Sequence, residues 1–153
     1  MDSRTEITEL IYKTCLRMDA KDFDGYLALC DTAFHYAITA FSPEIRKNMT
    51  WLEHDRAGMA TLFANLPKHN SDHSLLSRHA TVYTIEEQAN GETAKVTSAL
   101  QVFRTTLDGG ATELFAVGKM TDLVQLSAAG ALLLDRNIHL ETRMIGFGFH
   151  IPF

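Results

Sequence analysis

At about His79 the spacing of apolar residues changes from three-and-four to two, and it does not change back. One kind of element cannot serve both periods, so helices must dominate before the switch and strands after it. Before the switch, Ile7, Leu10, Ile11, Thr14, Cys15 and Met18 recur at helical spacing behind Ser3-x-x-Glu6, a capping-box pattern, and predict a helix over residues 3–19. Asp22 caps a shorter helix with Phe23, Tyr26, Leu27 and Cys30 on its apolar side and Gly25 inside it at some cost in propensity. The run Phe34-His35-Tyr36-Ala37-Ile38-Thr39 is aromatic and β-branched and stops at Ser42-Pro43, which predicts a first strand and a turn. A third helix is expected from about Leu52, with Met59, Leu62, Phe63 and Leu66 on one face and Pro67 as its stop, followed by a polar loop over 67–78.

After the switch, Ala80, Val82 and Thr84 alternate with Thr81, Tyr83 and Ile85, and Asn90-Gly91 is a strong hairpin signal before a strand with Val96, Leu100 and Val102 on one side. Asp108-Gly109-Gly110 turns the chain into a strand over 112–126 whose Leu114, Phe115, Ala116 and Val117 fill both faces, as in a central strand. Ala128-Ala129-Gly130 makes the last turn, and over 131–143 Leu134, Ile138 and Leu140 alternate with Asp135, Asn137, His139, Glu141 and Arg143. This order gives one α+β domain over residues 1–153, N-terminal helices packed in a curved, mostly antiparallel sheet. At this length a chain buries roughly 70% of its unfolded surface, so the core needs no staple. The helix-then-sheet order resembles the NTF2-like (cystatin-like) cone, a fold that hosts many unrelated functions.

Charge and composition exclude several classes of partner. Fourteen Lys and Arg against 19 Asp and Glu leave a net charge of -5, the wrong sign for neutralising phosphates, so no nucleic acid is expected. No apolar run approaches the ~20 residues of a spanning helix, and the opening Met1-Asp2-Ser3-Arg4-Thr5-Glu6 lacks a signal peptide's basic and apolar regions. The expectation is a cytoplasmic protein without a membrane partner. Cys15 and Cys30 fall on apolar stripes without a basic neighbour and read as packing residues with reduced thiols.

His69, His73 and His79 with Asp72 form the densest histidine cluster, but Pro67, Asn70 and Ser71 make this a loop and no Glu follows the first His as in the zinc-protease pattern, so no metal is assigned. Gly146-Phe147-Gly148 lacks the third glycine and the following helix of a dinucleotide loop. Pocketed relatives of the fold, such as ketosteroid isomerase, scytalone dehydratase and polyketide cyclases, place Tyr, Asp and His inside the cone. Their resemblance makes Tyr12, Asp31, Tyr36, Trp51, His54, Asp55 and His79 the candidates if this chain is instead a stand-alone SnoaL-like cyclase, dehydratase or isomerase working by acid-base chemistry.

A more specific resemblance lies in Leu134-Asp135-Arg136-Asn137-Ile138-His139-Leu140-Glu141-Thr142-Arg143-Met144-Ile145 with the ending His150-Ile151-Pro152-Phe153. This resembles the last strand and tail of the small β subunits of Rieske non-haem iron oxygenases, the aromatic-ring-hydroxylating dioxygenases. Met49-Thr50-Trp51-Leu52-Glu53-His54-Asp55-Arg56-Ala57-Gly58-Met59 is similar to that family's acidic, Arg-containing start of the third helix, and Ser77-Arg78-His79 to its entry into the sheet. Leu66-Pro67-Lys68-His69-Asn70-Ser71-Asp72-His73 resembles the small subunits of methanesulfonate monooxygenase hydroxylases. The resemblance implies a non-catalytic structural subunit that supports assembly of a catalytic α subunit, as a homotrimer or in an α3β3 hexamer. The Rieske [2Fe-2S] cluster and the mononuclear iron then belong to that partner. Such a cluster takes Cys-x-His and Cys-x-x-His pairs, whereas Cys15 is followed by Leu16-Arg17 and Cys30 by Asp31-Thr32. Residues of both charge signs beside an aromatic tail suit a subunit contact, and Asp135, His139, Glu141, Arg143, Phe149 and Phe153 are the interface candidates.

Overall fold

The computed structural model describes residues 2–69, 72–144 and 152–153 and the side chains within them except that of His69. Helix α1 (Ser3–Asp19) buries the predicted stripe, but its cap is Asp2, whose carboxylate accepts the Thr5 backbone N–H at 2.9 Å. Ser3, expected to cap, donates instead to Glu87 at 2.9 Å. Helix α2 (Phe23–Ala28) is capped by Asp22, which accepts from the Gly25 N–H at 3.0 Å, and the missing Cβ at Gly25 lets that carboxylate lie close over the first turn. Cys30 is not on this helix but opens strand β1 (Cys30–Ser42).

The expected helix start at Leu52 is replaced by a strand, β2 (Lys47–Asp55), which pairs with β1 from Ser42 opposite Lys47 to His35 opposite Asp55. Met49-Thr50-Trp51-Leu52 is β-branched and aromatic enough to pair once the chain has turned back through Pro43–Arg46, and Asp55 then caps α3 (Arg56–His69) by accepting the Gly58 N–H at 2.7 Å. Pro67 lies inside the last turn of α3 rather than ending it, where it forfeits a single ladder bond. The predicted polar loop over 67–78 is accordingly shorter, since β3 begins at Leu75.

Strands β3 (Leu75–Glu87), β4 (Thr93–Thr105), β5 (Thr112–Ser127) and β6 (Gly130–Leu140) form the expected meander. In the β3–β4 turn Asn90 accepts from the Glu92 and Thr93 N–H groups and Gly91 takes φ +70°, a conformation costly for any residue with a Cβ. The six strands form one sheet in the order β2-β1-β6-β5-β4-β3, antiparallel throughout except where β1 runs parallel to β6. Helix α1 packs on β3 and β6 and α3 on β1 and β2, so Ile7, Ile11, Phe34, Met59, Leu133 and Ile138 meet in one core.

Candidate functional site

The interior of this fold is where a pocket would form, and in this chain it holds a buried ion pair. Arg136 on β6 and Asp122 on β5 are cross-strand neighbours, both about 1% exposed. Arg136 Nε donates to Asp122 Oδ1 at 2.8 Å and Nη2 to Oδ2 at 3.1 Å, while Nη1 donates to the Thr14 hydroxyl of α1 at 3.0 Å. Burial pushes the Asp122 carboxyl up and the Arg136 charge pulls it back. Burial likewise lowers the guanidinium, but Asp122 more than offsets this and holds Arg136 charged. The pair therefore joins two strands to α1 as a fork-to-fork contact, and its carboxylate oxygens are already engaged.

Around it lie groups that stay neutral. Burial pushes the hydroxyls of Tyr26 and Tyr36 and the Cys15 thiol above their ordinary values, with the Arg136 charge opposing, and takes the Cys30 thiol up to about 12. Both cysteines are free and buried. An iron–sulfur cluster is held by thiolates, and these protonated thiols without neighbouring His partners do not fit one. No group of three or more His, Cys, Asp or Glu able to hold a metal ion occurs among the described residues.

Apart from the cross-strand neighbours Tyr36 and His54, the acid-base candidates are dispersed. Tyr36 is wholly buried, with its hydroxyl beside the backbone of Phe153. Tyr12 lies 39% exposed on α1, where its oxygen accepts the Val82 N–H at 3.4 Å. Asp31 accepts the Ala33 N–H at 2.9 Å at the start of β1, and Asp55 is occupied as the α3 cap. His54 pairs with Tyr36 across β1 and β2 and packs against Gly58, and half-buried Trp51 lines a groove described below. His79 is exposed on β3, within 3.0 Å of the Ser77 hydroxyl and edge-on to Phe103. Tyr36 points inward with the buried pair, and half-buried His54, directly opposite it in the ladder, shares that face.

The outer face of β1 and β6 is polar as the alternation predicts. His35 lies between two carboxylates, Nδ1 at 3.1 Å from Asp135 and Nε2 at 3.0 Å from Glu53, and the Thr39 hydroxyl sits within reach of Asn137 at 3.1 Å and His139 at 2.9 Å. Glu141 faces Lys119 at 3.6 Å rather than Arg143, which instead reaches Glu44 at 3.3 Å. Beside that last pair, a groove of about 260 Å³ is lined by Phe41, Met49, Trp51, Glu44 and Arg143. Phe41 and Met49 are close to half exposed, and Met144 is 88% exposed. Sequence reasoning missed this apolar end because it assigned no strand between the turn at Ser42-Pro43 and Leu52, so nothing placed Met49 and Trp51 beside β1. Phe153, expected as an exposed anchor, is 3% exposed within the chain's own core. Phe149, with Phe147, His150 and Ile151 of the same tail, lies outside the described residues.

Comparison with known proteins then places this geometry. The SnoaL-like domain family matches residues 1–134. The chain is 40% identical to the methanesulfonate monooxygenase hydroxylase subunit beta of Methylosulfonomonas methylovora, over 99% of this chain and 87% of that one. It is 30% identical to the 2-aminobenzenesulfonate 2,3-dioxygenase subunit beta of an Alcaligenes species, over 95% and 96% of the two chains. Among solved structures, a protein assigned as the beta subunit of an aromatic-ring-hydroxylating dioxygenase from Novosphingobium aromaticivorans superposes with a TM-score of 0.80 at 19% identity, covering 97% of this chain and 95% of that one.

Proposed function

Because the chain belongs to the SnoaL-like domain family and, within it, to the oxygenase beta subunits represented by these relatives, we propose that it is the non-catalytic small subunit of a Rieske-type oxygenase. The observation that carries this reading is the 40% identity spread over 99% of the chain. Its physical support is the dispersal of most of the acid-base candidates and an interior occupied by an ion pair. The partner is a catalytic α subunit that holds the [2Fe-2S] cluster and the mononuclear iron, in a cytoplasmic assembly of three large and three small chains. Asp135, His139, Glu141 and Arg143, with the adjacent Phe41–Met49 groove, form the contact surface: charges of both signs around exposed apolar side chains suit a subunit interface. No helix among the described residues is long and apolar enough to cross a membrane.

Co-purification from the native host tests the assignment. The expected companion is a larger chain carrying Cys-x-His and Cys-x-x-His, with iron tracking that chain and no turnover by the isolated subunit. A chain that purifies alone and turns over a substrate by itself overturns the reading.

A further inference from the structure

Four elements converge on the last two residues of the sequence. Pro152 is buried and Phe153 is 3% exposed. Arg78 at the start of β3, its side chain 1% exposed, donates from Nη2 to the Pro152 carbonyl at 2.9 Å and from Nη1 to Asp19, at the end of α1, at 2.8 Å. Asp19 also accepts the Arg78 backbone N–H at 3.1 Å, so the buried guanidinium is paired and aimed by one residue and offers its second arm to a carbonyl. The Phe153 ring packs against Phe115 of β5 with centroids 6.3 Å apart, and Phe115 is backed by the Arg104 guanidinium 5.5 Å over its ring. The Tyr36 hydroxyl of β1 lies beside the Phe153 backbone. A cation for a carbonyl oxygen, an aromatic wall and an apolar floor are the parts of a site for a single aromatic ring borne next to a carbonyl.

We propose that Pro152–Phe153 is a built-in ligand: it fills a ring-sized site at the end of the cone where β3 and β5 begin, and so seals in Tyr36. The site is then closed to small molecules by the chain itself, whatever subunit partners it has. With Phe153 shortened, the same site takes a single-ring apolar aromatic molecule, because an apolar cavity of that size stays dry and binds such rings.

The test uses the 153-residue chain. Phe153→Ala is expected to lower Tm by about 6–20 °C, as for deletion of a core ring in a domain of this size. Saturating toluene should raise the variant's Tm by several degrees and leave the wild type unchanged. Arg78→Lys keeps a charge opposite Asp19 but cannot span both Asp19 and the Pro152 carbonyl. It should speed release of Phe153 by a serine carboxypeptidase at least tenfold, with the rest of the chain still folded by circular dichroism. An unchanged Tm for Phe153→Ala, toluene acting equally on wild type and variant, or equal release rates for wild type and Arg78→Lys would each overturn the proposal. If Phe153→Ala does not fold, the release rates decide.

Discussion

Replacing Asp122 with Asn keeps the shape of the side chain and removes the charge that Arg136 was built against. The guanidinium would remain 1% exposed, with its Nε and Nη2 groups facing a neutral amide in place of a carboxylate at 2.8 and 3.1 Å. Breaking one side of a buried pair costs about 3–5 kcal/mol. In a domain of this size roughly 2–4 °C is lost per kcal/mol, so Tm should fall by about 6–20 °C. That is a large part of a total stability of about 5–15 kcal/mol. The double change Asp122→Leu with Arg136→Met should be far milder, near neutral or stabilising by about 1–4 kcal/mol, because both desolvation costs vanish together. Thr14 is not orphaned by it, since its hydroxyl also donates to the Ile11 carbonyl at 2.6 Å. Urea unfolding of the wild type, both single variants and the double variant gives the cycle. A loss below about 1 kcal/mol for Asp122→Asn, or a double variant worse than either single one, would refute the assignment of this pair as a dry, mutually dependent contact.

Arg143→Glu breaks only an ion pair with Glu44 whose partners are 52% and 72% exposed, so the chain's own stability should change by about 0–1 kcal/mol while subunit assembly is lost; light scattering that finds the oligomer unaltered would move the contact surface elsewhere. Asp55→Ala should cost about 0.5–2 kcal/mol as a lost helix cap and His79→Ala less, and neither should lower single-turnover product formation in size-selected complexes; a drop of about a hundredfold would mark a general acid or base in this chain. Burial raises the Cys15 thiol and takes Cys30 up to about 12, so at pH 8 both should resist a thiol reagent until the chain unfolds. The folded state holds these protons more tightly, so their contribution is complete below roughly pH 8.5, where unfolded thiols begin to ionise, and is lost as pH rises toward 12; urea midpoints that do not fall across that range would contradict the burial.

The sequence carried the local elements well because each is written in neighbouring residues. Helix α1, the α2 cap at Asp22, the Asn90-Gly91 turn and the four-strand meander all follow from spacings of a few positions. Two features depend on what lies far away in the chain. Residues 47–55 form a strand because β1 is there to pair with them; alone, Leu52, Met59, Leu62 and Phe63 match a helical face as well. The parallel contact of β1 with β6, about a hundred residues apart, leaves no periodic trace in either segment. Phe153 shows the same limit from the other side: an aromatic tail reads as exposed until a buried Arg78 is found waiting for the carbonyl before it.

The pairing of Asp122 with Arg136 depends on a single irregularity in the β5–β6 ladder. Counting outward from the turn, Ser127 faces Gly130, Gln125 faces Leu132 and Val124 faces Leu133; continued without interruption, that register would set Asp122 against Asp135. Like charges directly opposite one another are destabilising, and Arg136 would stand beside Thr121 on the outer face with nothing to pair. The register shifts instead between Leu123 and Val124, and the extra residue, Leu134, is left half-buried while Leu133 takes the core position. From there outward Leu123 faces Asp135 and Asp122 faces Arg136, so one inserted residue turns a repulsion into a bidentate pair and sends Asp135 outward to His35. Alternation already sets Arg136 on the side of Ile138 and Leu140, and only its charge kept it out of that group; the shift decides instead that Leu133 rather than Leu134 takes the core position. A one-residue bulge reverses which face a side chain occupies, and the only local hint of it was an arginine sitting at a core position of the strand.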